Sequence, residues 1–117
     1  MGQLTTHVLD TTAGVPAAGV LIEVHELLPG AMELRASVRT GPDGRCRDPL
    51  IAGDVFRSGR FALTFHVADY FRGRGVQLPQ PAFIEVAVIR IGIAHPEQHY
   101  HVPLLVSPWS YSVYRGG

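Results

Sequence analysis

The stretch "IEVAVIRI", residues 84 to 91, decides the class of this chain. It is a short apolar run in which Glu85 is the only charge before Arg90. Such a run reads as a central strand buried along most of its length. Working outward, the two-residue period of strands recurs. Phe61, Leu63 and Phe65 alternate with Ala62, Thr64 and His66, and Val20, Ile22 and Val24 alternate with Leu21, Glu23 and His25. "LRASVR", residues 34 to 39, reads similarly, with charges four apart. Turn signals separate these runs at Gly14-Val15-Pro16, Pro29-Gly30, Gly41-Pro42-Asp43-Gly44, Gly53-Asp54, Ser58-Gly59 and Gly92 to Pro96. Turns every ~8–12 residues are the spacing of a β-sandwich. Val67 to Gly73 breaks the pattern, with apolar residues at helical spacing ending at a glycine. The sequence predicts an all-β, two-sheet sandwich of seven or eight strands with one short helix.

With 117 residues, one domain over 1–117 is expected. Ten basic residues balance ten acidic ones, so there is no electrostatic footprint for nucleic acid or an anionic membrane. Hydrophobic residues make up 46% of a chain with no net charge, which points to apolar surface buried between subunits. No apolar run approaches the ~20 residues of a membrane span, and residues 1 to 30 lack the layout of a secretion signal. The single cysteine, Cys46, cannot form an internal disulfide and fits a reducing compartment. A cytoplasmic protein is expected.

Chemistry concentrates in a few places. His7 lies among β-formers in "LTTHVLDT", residues 4 to 11, a setting where histidine is commonly structural. "GPDGR", residues 41 to 45, is first of all a turn, with Gly44 at positive φ and Arg45 solvated. His99 and His101 are two apart on a strand and share a face, which suits a metal or a proton-transfer pair. A metal would need further ligands from His95 or His7, and there is no HExxH, CxxC or neighbouring acidic cluster. Cys46, between Arg45 and Arg47, reads as a reactive thiolate or, more simply, as a small apolar residue starting a strand. No Gly-x-Ser-x-Gly turn occurs, and Gly73-Arg74-Gly75 lacks the strand and helix of a phosphate loop.

Taken in order, "LTTHVLDT", "GPDGR" and "HYHVPLLVSPWSYSVYRGG" (residues 99 to 117) resemble the transthyretin-related 5-hydroxyisourate hydrolases. The similarity spans essentially the whole chain, including Gly14 to Ala17 and "PAFIEV" at 81 to 86. The resemblance implies a transthyretin-like sandwich whose subunits pair edge to edge and then face to face into a homotetramer, with active sites at the ends of a central channel. It implies hydrolytic opening of 5-hydroxyisourate to 2-oxo-4-hydroxy-4-carboxy-5-ureidoimidazoline in purine degradation, without metal or organic cofactor. It places the catalytic residues at His7, Arg45 and His101. It places the pocket-lining, substrate-binding tail at Tyr114, Arg115, Gly116 and Gly117. His99 is expected among the residues around the substrate, either in contact with it or, more simply, as a structural residue behind His101. Typical members end Tyr-Arg-Gly-Ser; Gly117 stands in place of that serine and lacks its hydroxyl, while a terminal carboxylate is expected to remain.

The chemistry is coherent in its own right. Opening a cyclic acyl–nitrogen bond needs a base for water, a stabiliser for the oxyanion and a proton for the departing nitrogen. Two imidazoles and one guanidinium cover these tasks, and Arg45 offers forked donors to oxygen-rich edges. Which histidine is the base stays open. The aromatic tail is expected to be held by packing of Trp109 and Tyr111 and by strand pairing, so that it lines a site and does not fray. Three other readings remain: a small-ligand carrier using the same channel, a catalytically weakened member because of Gly117, and a metal-binding β-protein built on His99 and His101.

Overall fold

A computed structural model describes Gly2 to Gly117. The chain runs through β1 (Gln3–Asp10), β2 (Val15–Pro16), β3 (Leu21–Leu28), β4 (Ala31–Arg39), β5 (Ile51–Ala52), a single 3-10 turn (Gly53–Val55) and β6 (Gly59–Phe65). It continues through helix α1 (Val67–Gly73), β7 (Ala87–Ile93), β8 (Tyr100–Val106) and β9 (Tyr111–Val113). Two sheets form, one in the order β2-β1-β8-β9 with β5 also on β1, the other in the order β4-β3-β6-β7. Seven strands are three residues or longer, and the helix has the bounds that its periodicity predicts. The fold is the expected all-β sandwich.

Alternation decides what faces inward. Leu4, Thr6, Val8 and Asp10 of β1 and Tyr100, Val102, Leu104 and Val106 of β8 are buried. Across the core they meet Ile22 and Val24 of β3 and Phe61, Leu63 and Phe65 of β6. The odd-numbered residues of β1 are half-buried on the outer face of their sheet. β1 and β8 pair in parallel, with Leu4 opposite Tyr100 and Thr5 opposite His101. This one pairing brings the beginning of the chain against its end.

The run at 84–91 is not a buried central strand. Its strand is shifted to Ala87–Ile93, and it pairs only with β6, at the edge of its sheet. Val88 is 48% exposed, and only the two end residues, Ala87 and Ile93, are buried. Glu85 precedes the strand, where its carboxylate accepts the Ala82 N–H at 3.0 Å. An apolar run marks a strand but does not say how many neighbours it has.

Nor do the tail aromatics pin the tail. Trp109 is 60% exposed and touches Phe83, itself 74% exposed, at a ring separation of 6.1 Å. Tyr111 is exposed as well. What holds this segment is backbone and polar contact. The Ser107–Ser110 turn closes with an N–H to carbonyl bond of 2.9 Å, β9 pairs with β8, and Gly116 bridges His101.

Candidate active site

The "GPDGR" segment is a turn docked on β1. Gly44 N–H donates to the Gly41 carbonyl at 2.9 Å, Gly41 N–H donates to the Arg45 carbonyl at 2.7 Å, and Val8 N–H donates to the Gly44 carbonyl at 2.9 Å. Gly44 has φ +78°, and a Cβ there would lie 2.4 Å from the Val8 carbonyl oxygen and 3.2 Å from His7 Cδ2. Only glycine allows this approach. The turn in turn fixes His7, whose Nε2 lies 2.8 Å from the Asp43 carbonyl oxygen. A carbonyl only accepts, so Nε2 carries the proton, and in the neutral ring Nδ1 is the nitrogen able to accept one. Arg45 follows directly and bridges to His7 across the backbone.

His101 enters from β8. Its Nδ1 is 2.8 Å from the Thr5 hydroxyl, and the same oxygen is 3.0 Å from Nε2 of His99. The two imidazoles lie nearly parallel, 21° apart with centroids at 6.4 Å. Gly116 closes over His101: its N–H donates to the His101 carbonyl at 2.7 Å, and a Cβ on Gly116 would come within 2.7 Å of His101 Cδ2. The ring is thus held at one edge by a hydroxyl and at the other by bare backbone. Burial, reinforced by the charges of Arg45, His99 and His7, pushes the His101 pKa below its ordinary 6.5. The ring is therefore neutral at pH 7 and able to take a proton.

A cavity of about 390 Å³ opens here, lined by Thr5, Thr6, Arg45, Cys46, His99, His101 and Gly117. Burial raises the Cys46 pKa, which keeps it a thiol and argues against a reactive thiolate, although Cys46 lies in the loop before β5 and does not start a strand as expected. Among the described residues no group of three or more His, Cys, Asp or Glu side chains is placed to hold a metal.

The tail residues divide. Gly116 and Gly117 join the histidines, whereas Tyr114 and Arg115 line a second cavity of about 290 Å³ with Ile89, Tyr100, Val102 and Val113. Arg115 donates to the Gln98 side chain and to the His99 carbonyl, and its guanidinium lies 4.0 Å above the Tyr100 ring. It secures the entry to β8 and does not face the imidazoles of the same chain. Thr5 is the residue that sequence reading overlooked. Its only signal was the two-residue step from His7, which places both on one strand face.

A family model described as "HIUase/Transthyretin family" matches residues 4–116. The chain belongs to this family. It is 53% identical over 116 residues to a 5-hydroxyisourate hydrolase of Pseudomonas aeruginosa, covering 99% of this chain and 92% of that one. Among solved structures, an (S)-allantoin synthase superposes with a TM-score of 0.92 at 42% identity over 99% of this chain, which spans 44% of that longer one. Sea bream transthyretin in complex with thyroxine superposes with a TM-score of 0.86 at 30% identity, covering 97% of this chain and 94% of that one. The fold is thus shared by a hormone binder and by enzymes of this family, so the site residues must decide between those roles.

Proposed function

We propose that this protein is a 5-hydroxyisourate hydrolase, opening the acyl–nitrogen bond of its substrate with His7, Arg45 and His101. One observation carries the reading: the neutral imidazole of His101 from β8 and the guanidinium of Arg45 line one polar cavity, and the His7 imidazole of fixed tautomer, from β1, lies close enough to Arg45 and His101 to share their electrostatic surroundings. His101 takes the proton of the attacking water, Arg45 meets the developing oxyanion, and the Nδ1 edge of His7 orients the water. A passive carrier of an aromatic ligand has no use for two titratable rings beside an arginine.

A homotetramer completes the proposal. The outer face of the β2-β1-β8-β9 sheet carries the site and has no layer over it within one chain, and β7 and β9 are both open edges. Val88, Trp109, Val113 and Tyr114 are exposed. Two chains pairing through these edges, and two such dimers meeting on the outer faces, would cover this surface and close the cavities into a channel. The lone thiol of Cys46 supports a cytoplasmic setting.

The test forms 5-hydroxyisourate in situ by oxidising urate and follows its ultraviolet decay with and without the protein. Accelerated decay is expected, with light scattering giving four times 12.7 kDa. Unchanged decay, combined with tight binding of an aromatic ligand, would favour the carrier. An active monomer would remove the tetramer from the mechanism.

A further inference from the structure

The two histidines of the site are wired differently. Nε2 of His7 faces a carbonyl, which can accept a hydrogen bond but has no proton to pass on. Nδ1 of His101 faces a hydroxyl, which can do both, and that hydroxyl also reaches Nε2 of His99. A threonine has a single hydroxyl proton, so Oγ can donate to only one of the two rings and at least one ring must donate to it; the two rings are linked when one donates to Oγ and Oγ donates to the other. His101 is partly buried and shares its surroundings with Arg45, His99 and His7, whereas His99 is exposed. A positive charge on His101 would therefore be poorly placed, and one on His99 would be solvated.

We infer that Thr5 is a positioning residue that fixes the His101 ring and links it to His99, so that a proton taken by His101 is held on the exposed ring and then returned. The inference rests on the hydrolase reading above. At rest His101 carries its proton on Nδ1, donated to Thr5 Oγ, and Thr5 donates to the bare Nε2 of His99. As water attacks the acyl carbon, one of its protons goes to Nε2 of His101. The Nδ1 proton moves to Thr5 Oγ while the hydroxyl proton moves to His99, which becomes the cation. When the carbon–nitrogen bond breaks, Nε2 of His101 gives its proton to the departing nitrogen, and the link runs backward. The water oxygen and its second hydrogen remain on carbon as the carboxyl group, and all three side chains return to their starting state. His7 cannot share in this transfer, so its ring only orients.

The experiment compares Thr5→Val, Thr5→Ser and His99→Gln with wild type, in turnover and in nitrogen NMR of the histidine rings without substrate. Thr5→Val is expected to lower kcat at least tenfold with KM within about threefold, and Thr5→Ser to stay near wild type. In wild type, the His101 ring should hold its proton on Nδ1 and titrate in step with His99. In Thr5→Val, the two titrations should separate. Should Thr5→Val fail to fold, His99→Gln must show the same loss of kcat and a shifted His101 titration. The link is overturned if Thr5→Val and Thr5→Ser lose activity equally while folded. It is also overturned if kcat and the His101 titration stay at wild type in both Thr5→Val and His99→Gln. A wild-type protein with coupled titrations but no hydrolysis would sink the hydrolase reading and leave the hydroxyl link standing.

Discussion

Each sheet of this sandwich carries a cluster of charge-bearing groups, and the two are built on opposite terms. In the β4-β3-β6-β7 sheet, Glu26 of β3 has a side chain only 5% exposed and is fully answered. Arg57 grips both of its oxygens at 2.9 and 3.2 Å, and Arg35 adds a bond of 3.0 Å to one of them. The Arg57 hydrogen bonds, helped by Arg35, hold the Glu26 carboxyl below its ordinary range despite burial. In the other sheet, His101 has for neighbours an arginine and two histidines, all of the same sign when protonated. Arg45 makes no ion pair among the described residues. A charge whose partners are all present has no capacity left for a ligand, while like groups held together gain from anything that brings an oxygen or takes a proton. The first cluster belongs to stability and the second to chemistry.

The largest effect that tests this contrast lies at the second cluster. His101→Ala, His7→Ala and Arg45→Ala should each slow 5-hydroxyisourate hydrolysis by ~10²–10⁴-fold, the usual worth of a group that transfers a proton, stabilises charge or holds a reactant in place. Their thermal unfolding midpoints should stay close to wild type, because none of the three fills the core. A variant that keeps its rate leaves the mechanism, and one that unfolds shows that the two clusters are not separable.

Next in size is Gly116→Ala. A methyl group there would press on His101 Cδ2 at 2.7 Å, so either the ring or the tail must shift. Misplacing a reacting group by a fraction of an ångström is costly, and a loss of roughly tenfold or more is expected with the fold intact. Kinetics alongside circular dichroism check it. A wild-type rate would mean that the ring has freedom and that the Thr5 contact alone positions it.

How far the sequence reaches is visible in these same residues. Most of the strands, the helix at 67–73 and the turn at Gly44 were legible, as were the motifs that contain His7, Arg45 and His101, because period, punctuation and motif are local properties. The pairing of β1 with β8 was not, since it joins residues 96 positions apart and no local signal fixes the register of a parallel pair. Thr5 gains its meaning only through that register. The same limit explains why 84–91 read as a central strand and why Arg115 turned out to grip Gln98 and Tyr100. Neighbour count and side-chain direction are tertiary facts.

A smaller effect, on stability alone, is expected from Glu26→Gln, which should hydrolyse substrate like wild type and melt at a lower temperature. Two guanidinium groups would lose their counter-charge, with the cost softened because Arg57 is half exposed to water. The pH dependence has a definite sign. The folded carboxyl titrates below its ordinary 4.5, so its stabilisation is complete above that value and is lost as pH falls below it. Wild type should therefore lose more stability than Glu26→Gln between about pH 4.5 and more acid conditions. Parallel melting curves over that range would show that the cluster contributes nothing.

The smallest effect is the most discriminating, because it contrasts adjacent glycines. Gly116 is crowded, whereas a Cβ on Gly117 would meet nothing within 4 Å, although Gly117 lines the same polar cavity as His101 and Arg45. Gly117→Ser therefore fits without displacing a neighbour and supplies the hydroxyl that the sequence resemblance leads one to expect at this position. If that hydroxyl reaches substrate in the transition state, it adds at most about one modest hydrogen bond, ~1.4 kcal/mol, or tenfold in rate. The expected result is a rate unchanged or raised by up to about tenfold, read in the same decay assay and opposite in direction to Gly116→Ala. A rate lowered tenfold by the serine would mean that the space beside Gly117 is already filled in the assembled protein. In the tetramer proposed above, a second subunit would then close the cavity beside Gly117.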